Sequence, residues 1–334
     1  MRWQGQSVDQ DRERRLPNLN ADAVIRTFDA PEAVGIRFHE VRAKSALNRV
    51  PKQSRMPFPW TVNPYRGCSH ACVWCFARPT HTYLDLNARE DFEREIVVKV
   101  NVPEVLRAEL GRPSWKREHV ALGTNTDPYQ WVESKYRLMP GIWEALRDSG
   151  TPSSLVTKSP LVLRDLELLK ELDERSEMTV YLSVPTLDEG AWRATEPHTP
   201  SPRARLKAVA ALNEAGVPAG VLIAPLQPGI NDSPEEVHKI RDLAREAGAV
   251  SVGSVTLHLR GEVRDIFFDW LRLQRPDLIP YYQDIYKRGA YAPSEVRNRH
   301  AELARLERRK PKRGLRAAPK SVSTEDGDPQ AALF

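Results

Sequence analysis

Asn63-Pro64-Tyr65-Arg66-Gly67-Cys68-Ser69-His70-Ala71-Cys72-Val73-Trp74-Cys75-Phe76-Ala77-Arg78 is the stretch on which the reading of this chain turns. It holds all three cysteines of a 334-residue sequence, spaced C-x3-C-x2-C, and it follows directly on a β-like run at 61–65. An odd number of thiols packed this tightly argues against a disulfide framework, which needs pairs and usually wider loops. The count points to metal before any motif is considered.

Outward from the cysteines, short β-like runs alternate with helical patterns. Candidate strands fall at 61–65, 119–122, 154–157, 179–184, 219–224 and 251–257, and helices at 102–110, 137–149, 163–175, 202–215 and 234–247. Leu163, Leu166, Leu169 and Leu172 recur at a spacing of three, as one buried helical stripe would. Ser201-Pro202 and Ser233-Pro234 read as N-caps followed by proline at the first helical position. Gly150, Gly216 and Gly248 stand where helix-closing glycines belong.

This alternation predicts parallel βα units in an α/β fold, arranged as a partial barrel or a doubly wound sheet. Either arrangement gathers ligands at the C-terminal ends of the strands. Those ends carry the unusual residues here: Gly67 onward, 123–129, Lys158, Ser183, 225–229 and 258–260. Residues 1–55 read as a polar leader laid onto the core, with one candidate strand within 33–42.

Thiolates are the usual ligands of iron–sulfur clusters, and a four-iron cubane normally takes four of them. Three ligands leave one iron open to a substrate or cofactor. Gly67 lets the backbone turn tightly before the first thiolate. His70 and Trp74, inside the loop, can shield the sulfurs and so tune a reduction potential. The competing reading is zinc with His70 or His81 as fourth ligand. Structural zinc sites are usually built from two ligand pairs, and no second pair is present.

The C-x3-C-x2-C spacing with an aromatic before the last cysteine resembles the radical S-adenosylmethionine (SAM) superfamily signature. Further segments narrow the resemblance: Gly123-Thr-Asn-Thr-Asp-Pro-Tyr129, Val156-Thr-Lys158-Ser, Tyr181-Leu-Ser183, the run from Glu196 to Arg205, and that from Ala215 to Pro225. Together they resemble the spore photoproduct lyase-like, or DNA repair photolyase-like, branch from about Asn63 to Leu259. The resemblance implies a partial (β/α)6 TIM-type barrel at 56–260, preceded by the leader. A helical extension at 261–310 and a disordered basic and polar tail at 311–334 complete the expected organisation.

The resemblance also implies a [4Fe–4S] cluster on Cys68, Cys72 and Cys75. Its open iron would chelate the amino and carboxylate groups of SAM, and an electron from a flavodoxin- or ferredoxin-type donor would release a 5′-deoxyadenosyl radical. Lys158 and Ser183 match family positions that contact SAM, Lys158 at the carboxylate and Ser183 at a ribose or carboxylate oxygen. In the same pocket Thr124, Asn125 and Thr126 can bond the amino group, with Asp127 adding charge, and Gly123 belongs to the same cofactor-binding segment. Trp74 borders the cofactors, and 225–229 line the adenine. Asn125-Thr126-Asp127-Pro128 is also a good turn sequence, and Glu196 with Arg205 reads better as a structural ion pair than as catalytic groups.

Two departures stand out. Spore photoproduct lyase returns hydrogen through a fourth cysteine near the end of its second strand; the matching position is about Thr124, and no cysteine lies outside the cluster motif. The tyrosine after its last cysteine is Phe76 here, which leaves Tyr129 as a candidate hydrogen relay. Beyond Arg260 no correspondence is evident.

Composition sets the remaining bounds. With 40% hydrophobic and 28% charged residues the chain reads as soluble and globular. No apolar run approaches the roughly 18 residues of a membrane span, and residues 1–15 lack a secretory pattern, so a cytoplasmic setting is expected. The net charge of +5 is uneven: 297–320 hold ten Lys/Arg against two Asp/Glu, or +8, leaving −3 elsewhere. Such a segment can bind nucleic-acid phosphates, or it can be a solvated helix end and tail. Tyr281, Tyr282, Tyr286 and Tyr291 nearby can stack on bases or form the packing face of a helix. Three functions therefore compete: radical chemistry on a nucleic-acid base, the same chemistry on a protein or small molecule, and a non-enzymatic cluster or zinc module.

Overall fold

Residues 6–8, 24–54 and 56–305 are described by a computed structural model. Among them the strands are β1 (Gln6–Val8), β2 (Val24–Phe28), β3 (Arg37–Val41), β4 (Leu47–Arg49), β5 (Trp60–Val62), β6 (Tyr65–Arg66), β7 (Glu95–Lys99), β8 (Val120–Leu122), β9 (Ser153–Thr157), β10 (Met178–Ser183), β11 (Ala219–Leu226) and β12 (Val252–Thr256).

The main sheet runs β12-β11-β10-β9-β8-β5-β4. Its six strands from β5 to β12 are parallel neighbours in chain order, and β4 adds an antiparallel edge. The order never reverses, so right-handed crossovers put the helices on one face and the sheet curls as a barrel, one of the two arrangements the sequence allowed. Strands β5 and β12 do not pair, so the barrel is partial.

Each expected strand is present, with one instructive difference. The run at 61–65 divides: β5 stops at Val62, and after Pro64 the chain enters β6, which pairs with β7 in a second sheet. Proline has no N–H to give a ladder, so a central strand ends there. The second sheet, ordered β1-β2-β3-β7-β6, contains the strand expected in the leader as β3. It also contains β7, which shows no alternation because Ile96, Val97 and Val98 are all buried.

Helices Val102–Leu110, Leu138–Ser149, Pro202–Glu214 and Pro234–Glu246 occupy the expected crossovers. The Ser201 hydroxyl accepts from the Ala204 amide at 3.3 Å and Ser233 from Glu236 at 3.2 Å, the two N-caps read from sequence. The helix expected at 163–175 opens as a tighter 3-10 turn, Pro160–Asp165, and becomes α-helical over Leu166–Arg175. Its stripe is accordingly uneven, with Leu169 and Leu172 buried and Leu163 and Leu166 only partly so.

A second apolar cluster joins the C-terminal extension to the cysteine loop. Helices Glu262–Gln274 and Ile279–Ile285 bring Phe267, Leu271, Tyr282 and Tyr286 into one cluster with Cys72 and Trp74. Tyr282 and Tyr286 are therefore packing residues, while Tyr281 and Tyr291 remain exposed. The last helix among the described residues is Ser294–Ala304; most of the basic run, and the tail expected at 311–334, lie outside them. No helix among the described residues is long and apolar enough to cross a membrane.

Candidate active site

Strand register sets the site. Val62 pairs with Leu122, Leu122 with Leu155, Thr157 with Leu182, and Ser183 with Leu222. The segments leaving these strands therefore open on one edge of the sheet.

The cysteine loop leaves β6 through Gly67, at φ +82°, where a Cβ would stand 2.9 Å from the Phe92 carbonyl oxygen. Close approach allows the Cys68 amide to donate to that oxygen at 2.9 Å. Gln130 grips the same turn from across the sheet. Its Oε1 accepts from the Ser69 amide at 2.9 Å, and its Nε2 donates to the Gly67 carbonyl at 3.0 Å.

Arg78, only 2% exposed, fixes the rest of the loop. Nε donates to the Cys72 carbonyl at 2.9 Å and Nη2 to that of Ala71 at 3.1 Å. Nη1 donates to the carbonyls of Ala88 and Arg89, Nη2 pairs with Glu93, and the guanidinium lies over the Phe92 ring. Sequence reasoning missed both Arg78 and Gln130, since neither belongs to a periodic or ligand-spacing pattern.

Cys68 and Cys72 are buried and Cys75 is half-buried. As free thiols all three are pushed up by burial, Cys68 to about 12 with Asp127 and Cys75 adding to the effect, while Arg78 and Lys158 work against it at Cys75. A bound cation would favour the thiolates and displace those protons. Three soft sulfurs on one short loop, two of them buried, suit an iron–sulfur cluster. Among the described residues no three His, Cys, Asp or Glu side chains converge as a single ion would require. A cluster asks less convergence, because each thiolate meets its own iron. The histidines of the zinc reading face other partners: His70 Nδ1 is 3.4 Å from Asp127, and His81 Nε2 is 2.9 Å from the Glu95 carbonyl. Burial pulls His70 down to about 4 against the pull of Asp127, so the ring is neutral.

Lys158 follows β9, with its ammonium 4.8 Å from the centre of the Trp74 ring and 3.9 Å from Glu196 Oε1. Burial lowers its pKa, but Glu196 and Cys72 more than offset this, leaving it above the usual lysine value. Glu196 in turn pairs with Arg205 at 2.7 Å, both side chains wholly buried. Arg205 also donates to the carbonyls of Ser183 and Pro200, each at 2.8 Å, so this pair is the structural tie expected from sequence. The Ser183 hydroxyl donates to the Ala224 carbonyl at 2.8 Å, bridging the ends of β10 and β11.

The turn after β8 divides its tasks. Gly123, at φ +76°, lies so near β9 that a Cβ would sit 1.8 Å from the Val156 carbonyl oxygen. Thr126 donates to the Tyr65 carbonyl at 2.9 Å. Asp127 accepts from the Tyr129 amide, the Thr157 hydroxyl and the Lys158 amide at 2.9, 2.7 and 2.7 Å. Both side chains therefore brace the loops, while half-buried Thr124 and Asn125 make no side-chain hydrogen bond among the described residues.

Tyr129 is not placed to relay hydrogen. Its wholly buried hydroxyl donates to Asp165 at 2.8 Å and accepts from Trp143 at 2.7 Å, deep in the main core. Phe76, by contrast, is exposed, with its ring 5.8 Å from His258, which stacks on Tyr291 at 5.7 Å.

A partial parallel barrel with three thiols on the loop after its first parallel strand, and a lysine and a serine closing later strands, is an α/β fold whose strand ends carry the candidate site. Residues 62–244 match the Radical SAM superfamily, and the chain belongs to that superfamily; it is a radical SAM enzyme. It is 47% identical over 301 residues to an uncharacterized protein of Mycobacterium tuberculosis strain H37Rv, covering 89% of this chain and 88% of the relative. An uncharacterized protein of Methanocaldococcus jannaschii is 27% identical over 202 residues, 59% of this chain and 70% of that one. The fold is shared with spore photoproduct lyase. A mutant of that enzyme with bound AdoMet and dinucleoside spore photoproduct superposes with a TM-score of 0.57 at 15% identity, covering 79% of this chain and 76% of the other.

Proposed function

We propose that Cys68, Cys72 and Cys75 hold a [4Fe–4S] cluster, that SAM binds beside it along the strand ends, and that the substrate is a nucleic-acid base. The observation that carries this reading is the meeting on one sheet edge of three free cysteines on a single loop, the charged Lys158 over Trp74, and Ser183. When bound, cluster and SAM supply one-electron cleavage of the sulfonium bond and a 5′-deoxyadenosyl radical that takes hydrogen from the substrate.

The chain's own residues bind and orient. Lys158, kept charged by Glu196, meets the methionine carboxylate. Ser183 gives its proton to Ala224, so its lone pairs are left to accept from a ribose hydroxyl. Thr124 and Asn125 offer oxygens to the amino group, Gly123 holds them in the turn, and Thr126 and Asp127 keep that turn against β6 and β9. Residues 225–229 line the adenine. Trp74 and the C-terminal extension keep water from the sulfurs.

Support for a nucleic-acid base comes from the shared fold with an enzyme that binds a dinucleoside photoproduct, from the exposed rings of Phe76 and Tyr291, and from the +8 run at 297–320. A flavodoxin- or ferredoxin-type protein supplies the electron, and a reducing cytoplasm suits the free thiols. With no cysteine outside the cluster motif, return of hydrogen from a fourth thiol is not available.

The test is anaerobic. Protein reconstituted with iron and sulfide, reduced with dithionite and given SAM is expected to release 5′-deoxyadenosine, and Cys72→Ala to lose iron and cleavage together. A protein that takes up one zinc and leaves SAM intact, or a variant that keeps cleaving, would overturn the cluster assignment.

A further inference from the structure

Beside the cysteine loop stands a pair of cations that no carboxylate pairs with among the described residues. Arg66 is opposite Val97 in the β6–β7 ladder, and Lys99, two residues on, shares the face of Val97. Arg66 and Lys99 therefore project from one face as diagonal neighbours, a spacing of roughly 7–8 Å. Both are half-buried. The Lys99 ammonium donates to the Asn63 carbonyl at 3.0 Å, which holds it at the entrance to the cysteine loop.

The surroundings are apolar on one side, and on the other the nearby acid is already paired. Val41, Leu84, Leu86 and Val97 form a small cluster on this sheet. The acid on the same face, Glu95, is already bound by Arg37 and His39. Among the described residues no carboxylate pairs with Arg66 or Lys99. Burial, with Arg66 adding repulsion, brings Lys99 down to about 8. Half-burying two cations side by side is costly unless an anion completes the set. Tyr83, 78% exposed, lies near enough to Arg66 to feel its charge and presents an open ring face.

We propose that Arg66 and Lys99 form a seat for a phosphate diester of the nucleic-acid substrate, which it positions beside the cysteine loop. This rests on the nucleic-acid reading above. A guanidinium fork and an ammonium together match the oxygens of a phosphate, and such contacts set the register of a strand without reading its sequence. Tyr83 offers a neighbouring base a stacking surface.

The experiment uses reconstituted full-length protein and a short fluorescein-labelled single-stranded oligonucleotide, titrated by anisotropy over a range of salt. Lys99→Met is expected to weaken binding several-fold and to lower the slope of log K against log salt by about one, with SAM cleavage in the absence of substrate unchanged. Wild-type binding that Lys99→Met leaves untouched in affinity and slope overturns the seat and spares the nucleic-acid reading. Absence of oligonucleotide binding removes the nucleic-acid reading itself. Protection of Lys99 from acetic anhydride by inorganic phosphate, read by peptide mass spectrometry, would then retain an anion seat, and no protection would overturn that as well.

Discussion

Arg78 Nε donates to the carbonyl oxygen of Cys72 at 2.9 Å, so the residue that shapes the cysteine loop is an arginine three positions beyond its last cysteine. The same guanidinium serves the carbonyls of Ala71, Ala88 and Arg89. A loop of this length has few bonds within itself, and a planar cation with five donors ties its carbonyls to the segment before β7.

Replacing Arg78 with Met strands these carbonyls in a dry interior. The expected loss is on the order of 4 kcal/mol, seen as a lower urea midpoint, together with reduced iron per chain after reconstitution. Arg78→Lys recovers only part of both, because an ammonium cannot span the same fork of acceptors. Full iron loading and an unmoved midpoint in the Met variant would exclude the clasp.

Gly123 and Gly150 separate two reasons for glycine. At Gly150, φ is +62° and nothing lies within 4 Å of an added Cβ, so Gly150→Ala costs about 1–2 kcal/mol of left-handed strain alone. At Gly123 a Cβ collides with the β9 backbone, and Gly123→Ala is expected to cost on the order of 4 kcal/mol. Equal shifts of the urea midpoint for the two variants would contradict the close approach of β8 and β9.

Asp232 ties the loop after β11 to helix Ser294–Ala304. It accepts from the Gly229 amide at 2.7 Å and lies 3.0 Å from His300 Nε2 and 2.6 Å from Arg299. Burial raises its carboxyl pKa, but His300, the Gly229 amide and Arg299 outweigh it, so the folded value lies below the ordinary one of about 3.9. A carboxylate depressed on folding contributes stability above that ordinary value and loses it as pH falls toward the folded one. Asp232→Asn should therefore be less stable by about 1–2 kcal/mol at neutral pH, and the gap should close as pH drops below about 4. Urea midpoints followed from neutral to acid pH test this; a constant gap would contradict it.

The sequence carried what depends on neighbours along the chain. The thiol spacing, the N-caps at Ser201 and Ser233, and the βα alternation are local patterns, and each reappears where it was expected. Strand-end placement of Lys158 and Ser183 followed from the same alternation, since parallel strands in chain order bring their ends to one edge.

Only the tertiary structure decided how those ends are used. Tyr129 adjoins the Asn-Thr-Asp-Pro turn, yet the pairing of its hydroxyl with Asp165 and Trp143 seals it in the core. Thr126 and Asp127 likewise spend their oxygens on Tyr65, Thr157 and Lys158, partners that are distant in sequence. The break at Pro64, the clasp of Arg78 and the extension packed over Trp74 also depend on what the folded chain brings alongside. A linear pattern records which side chains a segment offers. Whether a polar group is free for a cofactor depends on its hydrogen-bond partners, and those are chosen only when the sheets and helices close.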